Sequence, residues 1–308
     1  MKKRILSGAV YTALLVGVFL IKIFLGQPWG NFAFDVLLYF FSVVGTWEML
    51  RAMDDALTEA EKNTVTAFSI VCVPACSVFE TLYGFGVYAA AVLLLLLSVA
   101  LLSLLIFKNA ETRLESLGTA FLCAVYPTLL LCVLVLTNHF GEVPMLPSVP
   151  PETSGAVLSD SVLAMLFVFI VSPLSDVAAF FTGISLKNKF PKKLAPNISP
   201  NKTVVGFIGG LLGGAISGVG IYFVYNAICG SFANMYIKLP VYLAVGLLAS
   251  LATVFGDLIE SAIKRQRGIK DMGNIMPGHG GVLDRIDGTL FAAIAVYAAF
   301  LVAKLFVI

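Results

Sequence analysis

The chain has 308 residues, of which 59% are hydrophobic and only 12% are charged. A water-soluble globular domain carries about 25% charged residues, so this composition excludes a soluble protein and points to a membrane one. The formal charge of +2 gives no footing for a nucleic-acid binder, and five cysteines, four of them inside apolar blocks, suit neither disulfides nor a zinc site.

The apolar residues form nine blocks, at about 5–25, 32–51, 64–82, 84–107, 117–137, 161–184, 203–227, 239–262 and 288–307. At 1.5 Å per residue such blocks cross about 30 Å of hydrocarbon, and lipid offers the backbone no hydrogen-bond partner, so each is expected to be a helix. The predicted fold is all-α: a polytopic membrane protein of about nine transmembrane helices. Met1-Lys-Lys-Arg4 precedes an apolar run too long for a signal peptide and without a small-x-small cleavage site, so the first block is read as an uncleaved helix.

Lys and Arg collect on the cytoplasmic side of a membrane. With the N-terminus cytoplasmic, alternate loops hold all of the 20 basic residues except Lys22, Lys238 and Lys304. Lys22 and Lys304 lie near outer helix ends, where they are expected to snorkel to the interface. Residues 1–160 then form an N-terminal region of five spans. Residues 161–308 form a C-terminal region of four spans with two basic cytoplasmic loops, at 185–202 and 262–287, where any chemistry is expected. A cell (inner) membrane is the expected location.

The block 203–227 places Gly206, Gly210, Gly214 and Gly218 four apart, with Gly209 and Gly213 beside them. Such a stripe lets helix backbones approach closely; packing within one subunit is the first reading and a homodimer interface the second.

Acidic residues in a membrane segment are costly, and six occur here: Asp35, Glu48, Glu80, Asp176, Asp257 and Glu260. Asp35 and Glu80 lie near outer ends and Glu48 near an inner end, where an interfacial or capping role is expected. Asp176, Asp257 and Glu260 lie in the inner thirds of their spans and point toward the basic loops. Asp257, Glu260, Ser261 and Lys264 stand at i, i+3, i+4 and i+7, on one helical face. Intrahelical ion pairing is the plain reading of that set, and a polar wall of a site is the favoured one.

The next loop runs Lys270-Asp-Met-Gly273, Pro277-Gly-His-Gly-Gly281 and Leu283-Asp-Arg-Ile-Asp287. Glycines on both sides of His279 permit positive φ angles and close backbone approach to phosphate oxygens. Asp284 and Asp287, at i and i+3, are placed to hold Mg²⁺ together with an Asp of another helix. These groups favour a polyphosphate ligand, and no Gly-Lys-Ser/Thr phosphate loop is present. In the other loop, Ser199-Pro-Asn-Lys-Thr203 is expected to cap the seventh span. Lys187, Lys189, Lys192 and Lys193 are expected to be topology anchors.

Ser261-x-Ile-Lys-Arg265, Lys270-Asp-x-Gly273, Met276-Pro-x-His-Gly-Gly281 and Asp284-Arg-Ile-Asp287 together resemble the C-terminal signature of the phosphatidate cytidylyltransferases, or CDP-diacylglycerol synthases. Gly256-Asp-Leu-x-Glu-Ser261, Asp176 with Gly183, and Ser199-Pro-x-Lys-Thr203 with Gly206 are similar to other recurrent motifs of that family. Val205 stands where many relatives carry Glu, and Met276 where Leu, Ile or Phe is usual. The resemblance implies a nucleotidyltransferase of phospholipid biosynthesis that moves the cytidylyl group of CTP to phosphatidate within the membrane lipid, giving CDP-diacylglycerol and pyrophosphate. It implies Mg²⁺ on Asp257 and Asp284, with room for a second metal ion and with Asp287, Asp271 or Asp176 in support. Lys264, Arg265, Lys270 and Arg285 would bind phosphates. Ser261, Ser199, Thr203 and Lys202 would position the nucleotide beside Glu260, Gly280 and Gly281, and His279 would contact phosphate or act as an acid. Two rivals are a secondary transporter, with polar groups reachable from both sides, and a CTP-dependent polyprenol kinase, which would release CDP.

Overall fold

A computed structural model describes residues 2–108, 111–142, 145, 158–229, 232, 234–278 and 280–305. Among these residues nine helices are long and apolar enough to cross a membrane. They are α1 (Lys2–Leu25), α2 (Trp29–Ala52), α3 (Glu59–Tyr83), α4 (Gly86–Phe107), α5 (Leu114–Asn138), α6 (Asp160–Leu186), α7 (Val204–Cys229), α8 (Met235–Gln266) and α9 (Leu283–Leu305). Each apolar block of the sequence becomes one of them. The ends differ by several residues where polar first turns join a helix, as with Thr58, whose hydroxyl and Glu61 form a reciprocal cap that starts α3. Two helices contain a wider π turn, Val125–Leu129 in α5 and Phe167–Val171 in α6. Pro127 lies within the first and Pro173 follows the second. Proline lacks the amide that a regular helix needs, and a π turn accommodates the missing bond.

The chain divides into two compact units, Met1–Glu152 with Ile269–Arg285, and Thr153–Gly268 with Ile286–Ile308. The first turn of α9 thus belongs to the first unit and its remainder to the second.

In the first unit the core lies among α2, α3 and α5, where Phe34, Leu38, Met49, Val65, Cys72, Val73, Cys76, Leu131 and Val135 are buried. The apolar side chains of α4, among them Leu95, Leu96 and Val99, are exposed, as suits a face against lipid. A buried polar network joins α1, α2, α3 and the end of α5. Lys22 is only 3% exposed; it donates to Asn31 Oδ1 and the Asn138 carbonyl and pairs with Glu142 at 3.7 Å. Asp35 accepts from Ser77 and from Asn138 Nδ2 at 2.8 Å, and lies 2.7 Å from His139 Nε2. Snorkelling was the expectation for Lys22. The structure corrects it: carboxylate and amide oxygens on neighbouring segments solvate the ammonium inside the unit, so the side chain has no need to reach water. Glu80 has the capping role expected of it, accepting the Gly86 amide at the start of α4 at 2.8 Å.

In the second unit α7 packs against both α6 and α8 through its glycines. A Cβ at Gly206 would lie 2.8 Å from the Ala179 carbonyl of α6, and one at Gly214 or Gly218 would strike Ser250 or the Tyr242 carbonyl of α8. The stripe therefore serves contacts within the chain, the first of its two readings. Between α6 and α7 the chain forms an antiparallel hairpin, β1 (Lys193–Ala195) and β2 (Ser199–Thr203). Thr203 ends it, and its Oγ1 accepts the Gly206 amide at 3.0 Å, so this motif caps α7 as its sequence suggested.

Candidate active site

The second unit gathers charged side chains from α6, the hairpin, α8 and α9. Asp257 is held on both carboxylate oxygens: Lys202 of β2 forms an ion pair with Oδ2, and Ser261, one helical turn along, donates to Oδ1 at 3.2 Å. Asp176 on α6 is accessible and lies within electrostatic reach of Asp257, Asp287 and Lys202. Asp287 on α9 is in turn near Asp257, Glu260 and Lys264. Glu260 is fully buried and pairs with Lys264 at 3.4 Å.

The close approach of α8 and α9 in this unit depends on Gly256, where a Cβ would lie 2.5 Å from the Asp287 carbonyl oxygen. Arg265, exposed at the end of α8, donates from Nε to the Ile198 carbonyl at 3.3 Å, tying the hairpin turn to α8. Ser199 pairs with Ala195 across the hairpin and is half-buried. The plain reading of the Asp257 face holds for Glu260 and Lys264, which form an intrahelical pair, while Asp257 on the same stretch is partly exposed.

The signature loop of the first unit has its own geometry. Gly278 and Gly280 have φ angles of 79° and 87°, the left-handed region expected for glycines flanking position 279. The Met276 amide donates to the Gly280 carbonyl at 3.0 Å and closes the turn; His279 itself lies outside the described residues. Asp284 Oδ2 accepts the amides of Met272 at 2.9 Å and Gly281 at 2.8 Å, so this carboxylate also orders the loop. Asp271 lies near Gly280, where an added Cβ would be 3.4 Å from the Asp271 Cβ. Lys270, Asp271 and Arg285 are exposed.

A side chain outside the expected site set completes this loop. Glu48 of α2 is fully buried; its Oε1 accepts the Val282 amide at 3.0 Å and its Oε2 the Leu283 amide at 2.9 Å. Gly273 and Gly281 lie directly against this carboxylate, and a Cβ on either would collide with it. A capping role was legible from the position of Glu48 at a span end; the amides it caps, more than 230 positions along the chain, were not.

The described residues contain no group of three or more His, Cys, Asp or Glu side chains able to hold a metal ion by themselves. Magnesium is ordinarily held by one or two carboxylates, with water and substrate phosphates completing six oxygens. The partly exposed carboxylates of Asp257 and Asp176 are donors of that kind.

The sequence profile described as the Cytidylyltransferase family matches residues 2–303. The chain belongs to that family. Among its relatives, a phosphatidate cytidylyltransferase of Bacillus subtilis (strain 168) is 31% identical over 295 residues, 94% of this chain and 94% of the relative. A phosphatidate cytidylyltransferase of Staphylococcus haemolyticus (strain JCSC1435) is 40% identical over 136 residues, covering 44% of this chain and 48% of its own. One of Brucella suis biovar 1 (strain 1330) is 42% identical over 133 residues, 43% and 45% of the two chains. The cytidylyltransferase family thus covers both units.

Proposed function

We propose that this chain is a phosphatidate cytidylyltransferase: it transfers the cytidylyl group of CTP to phosphatidate and releases pyrophosphate. The observation that carries this reading is Asp257, bound by Lys202 and Ser261 and within electrostatic reach of Asp176 and Asp287, in a chain alike over its length to a relative of that name.

In the reaction a phosphate oxygen of the lipid attacks the α-phosphorus of CTP. A new P–O bond forms, the bond to the β-phosphate breaks, and its electron pair leaves with pyrophosphate. The lipid phosphate is already anionic near neutral pH, so no strong general base is needed; positioning and neutralisation of charge carry the catalysis. Lys202 and Ser261 hold the Asp257 carboxylate in place. Lys264 and Arg265 supply positive charge toward phosphate oxygens, with Ser199 and Thr203 ordering the hairpin beside them. Lys270 and Arg285, exposed on the signature loop, are assigned to phosphate, as are Gly280 and His279. A magnesium ion, when bound, would neutralise the triphosphate; Asp257 and Asp284 are the carboxylates that the family resemblance assigns to it.

The distribution of basic residues favours a cytoplasmic N-terminus and a reaction at the cytoplasmic face of a cell membrane. An apolar chain suits this substrate: phosphatidate leaves the bilayer at about 0.8 kcal/mol per exposed CH₂, so the nucleotide must come to the membrane. The test is purified protein with CTP and phosphatidate, with and without Mg²⁺. Pyrophosphate and CDP-diacylglycerol are the expected products. Release of CDP would instead identify a kinase, and solute flux without CTP turnover a transporter.

A further inference from the structure

We infer that Glu48 is a positioning residue for the reaction, holding the signature loop in its working shape from a different membrane helix. The inference rests on the proposed cytidylyl transfer, since it assigns Glu48 to that activity.

The first amides of a helix have no partner inside it, and in an apolar setting an unsatisfied amide is costly. α9 solves this at Val282 and Leu283 by taking both oxygens of a fully buried carboxylate from α2. A negative side chain at a helix N-terminus is favourable in its own right. The loop is shaped around it: Gly273 and Gly281, on either side of the glycine turn, leave room that any side chain would fill.

Asp284 fastens the same stretch from within, through the amides of Met272 and Gly281, and Ser7 of α1 donates to the Pro277 carbonyl at 3.1 Å. Residues 272–283 are thus pinned at four amides by two carboxylates. Glu48 differs from Asp284 in its origin. It sits on another helix, so it fixes where the loop lies relative to α2 as well as how it is folded. It contacts backbone, not reacting atoms, and acts through the residues that the loop presents, Lys270 and Asp271 at one end and Arg285 at the other.

Glu48→Gln keeps the volume but leaves one acceptor oxygen for two amides. Glu48→Asp keeps both oxygens on a shorter arm. Glu80→Gln is the control, because Glu80 also caps a helix of the first unit, at Gly86, away from this loop. Purified full-length variants are compared by kcat and KM for CTP, by melting, and by hydrogen exchange of a peptide covering 276–286.

The expected result is that Glu48→Gln folds, exchanges at least about tenfold faster in that peptide, and loses at least about tenfold in kcat/KM, with Glu48→Asp intermediate and Glu80→Gln like wild type. Unchanged exchange and kinetic constants in Glu48→Gln would overturn the inference. So would an activity loss that only tracks the folded fraction, equal in both glutamine variants. If Glu48→Gln does not fold, Glu48→Asp decides on the same two readouts. Wild-type protein without CTP turnover would refute the proposed function, and the exchange arm would still report whether Glu48 holds the loop.

Discussion

Lys202 on β2 and Asp257 on α8 form an ion pair that joins the hairpin to the carboxylate helix, with side chains 25% and 29% exposed. A partly exposed pair of this kind is still screened by solvent and contributes about 1 kcal/mol or less to stability, so its value is better sought in the reaction than in the fold. Replacing Asp257 by Asn keeps the Ser261 bond but removes the charge. Asp257→Asn is expected to lower kcat by about a hundredfold or more while the melting temperature stays near that of wild type. Lys202→Met should also lose activity, and the double variant should lose less than the product of the two, because neighbours acting on one group are not additive. Cytidylyl transfer from labelled CTP into lipid measures all three; full activity in Asp257→Asn would remove this carboxylate from the mechanism.

Gly273 and Gly281 test the loop from the opposite direction. A methyl group at either position enters space held by Glu48, a buried carboxylate that cannot withdraw without abandoning two amides. Overpacking of this kind costs about 1–3 kcal/mol, so Gly281→Ala and Gly273→Ala should melt earlier than wild type in detergent. Gly220 on α7 has nothing within 4 Å of an added Cβ, and there Ala should stabilise by about 0.5–1 kcal/mol through lower chain entropy. Equal melting temperatures for all three variants would contradict the geometry at Glu48.

The spans were legible because membrane helices are written in runs of apolar residues, and each of the nine blocks folded as one helix. The local parts of the site were legible for a related reason: Asp257, Ser261 and Lys264 share a helical face by spacing alone, and the glycines flanking position 279 signalled positive φ. What failed was partnership over distance. Lys22 reads as an interfacial lysine when only its depth is known, and its burial depends on Asn31, Asn138 and Glu142 arriving from other segments. Glu48 reads as a span-end cap, but nothing in its neighbourhood names Val282 and Leu283. The hairpin β1–β2 was read as a basic loop, since strands of three and five residues leave no periodic signal.

Asp284 separates a loop-holding role from a charge role. Its Oδ2 accepts two amides, and an Asn carbonyl oxygen at the same place could accept them too. If charge toward magnesium is what Asp284 contributes, Asp284→Asn should keep its melting temperature yet need more Mg²⁺ for half-maximal rate, by about tenfold or more. Chelation of divalent ions should abolish wild-type turnover and added Mg²⁺ should restore it. An unchanged Mg²⁺ requirement in Asp284→Asn would leave this residue with loop order alone.

The buried network of the first unit is expected to serve stability and not turnover. Asp35 accepts from Ser77 and Asn138 and lies against His139, and Lys22 is held by Asn31, Asn138 and Glu142, all in the same cluster. Removing one member strands its partners without water, a loss of about 3–5 kcal/mol for a buried ion pair. Asp35→Ala and Lys22→Ala should therefore lower the melting temperature sharply and reduce the yield of folded protein. The folded fraction should keep wild-type KM for CTP, because no residue of the candidate site belongs to this cluster. A raised KM at wild-type melting temperature would place the network in the substrate path and reverse this assignment.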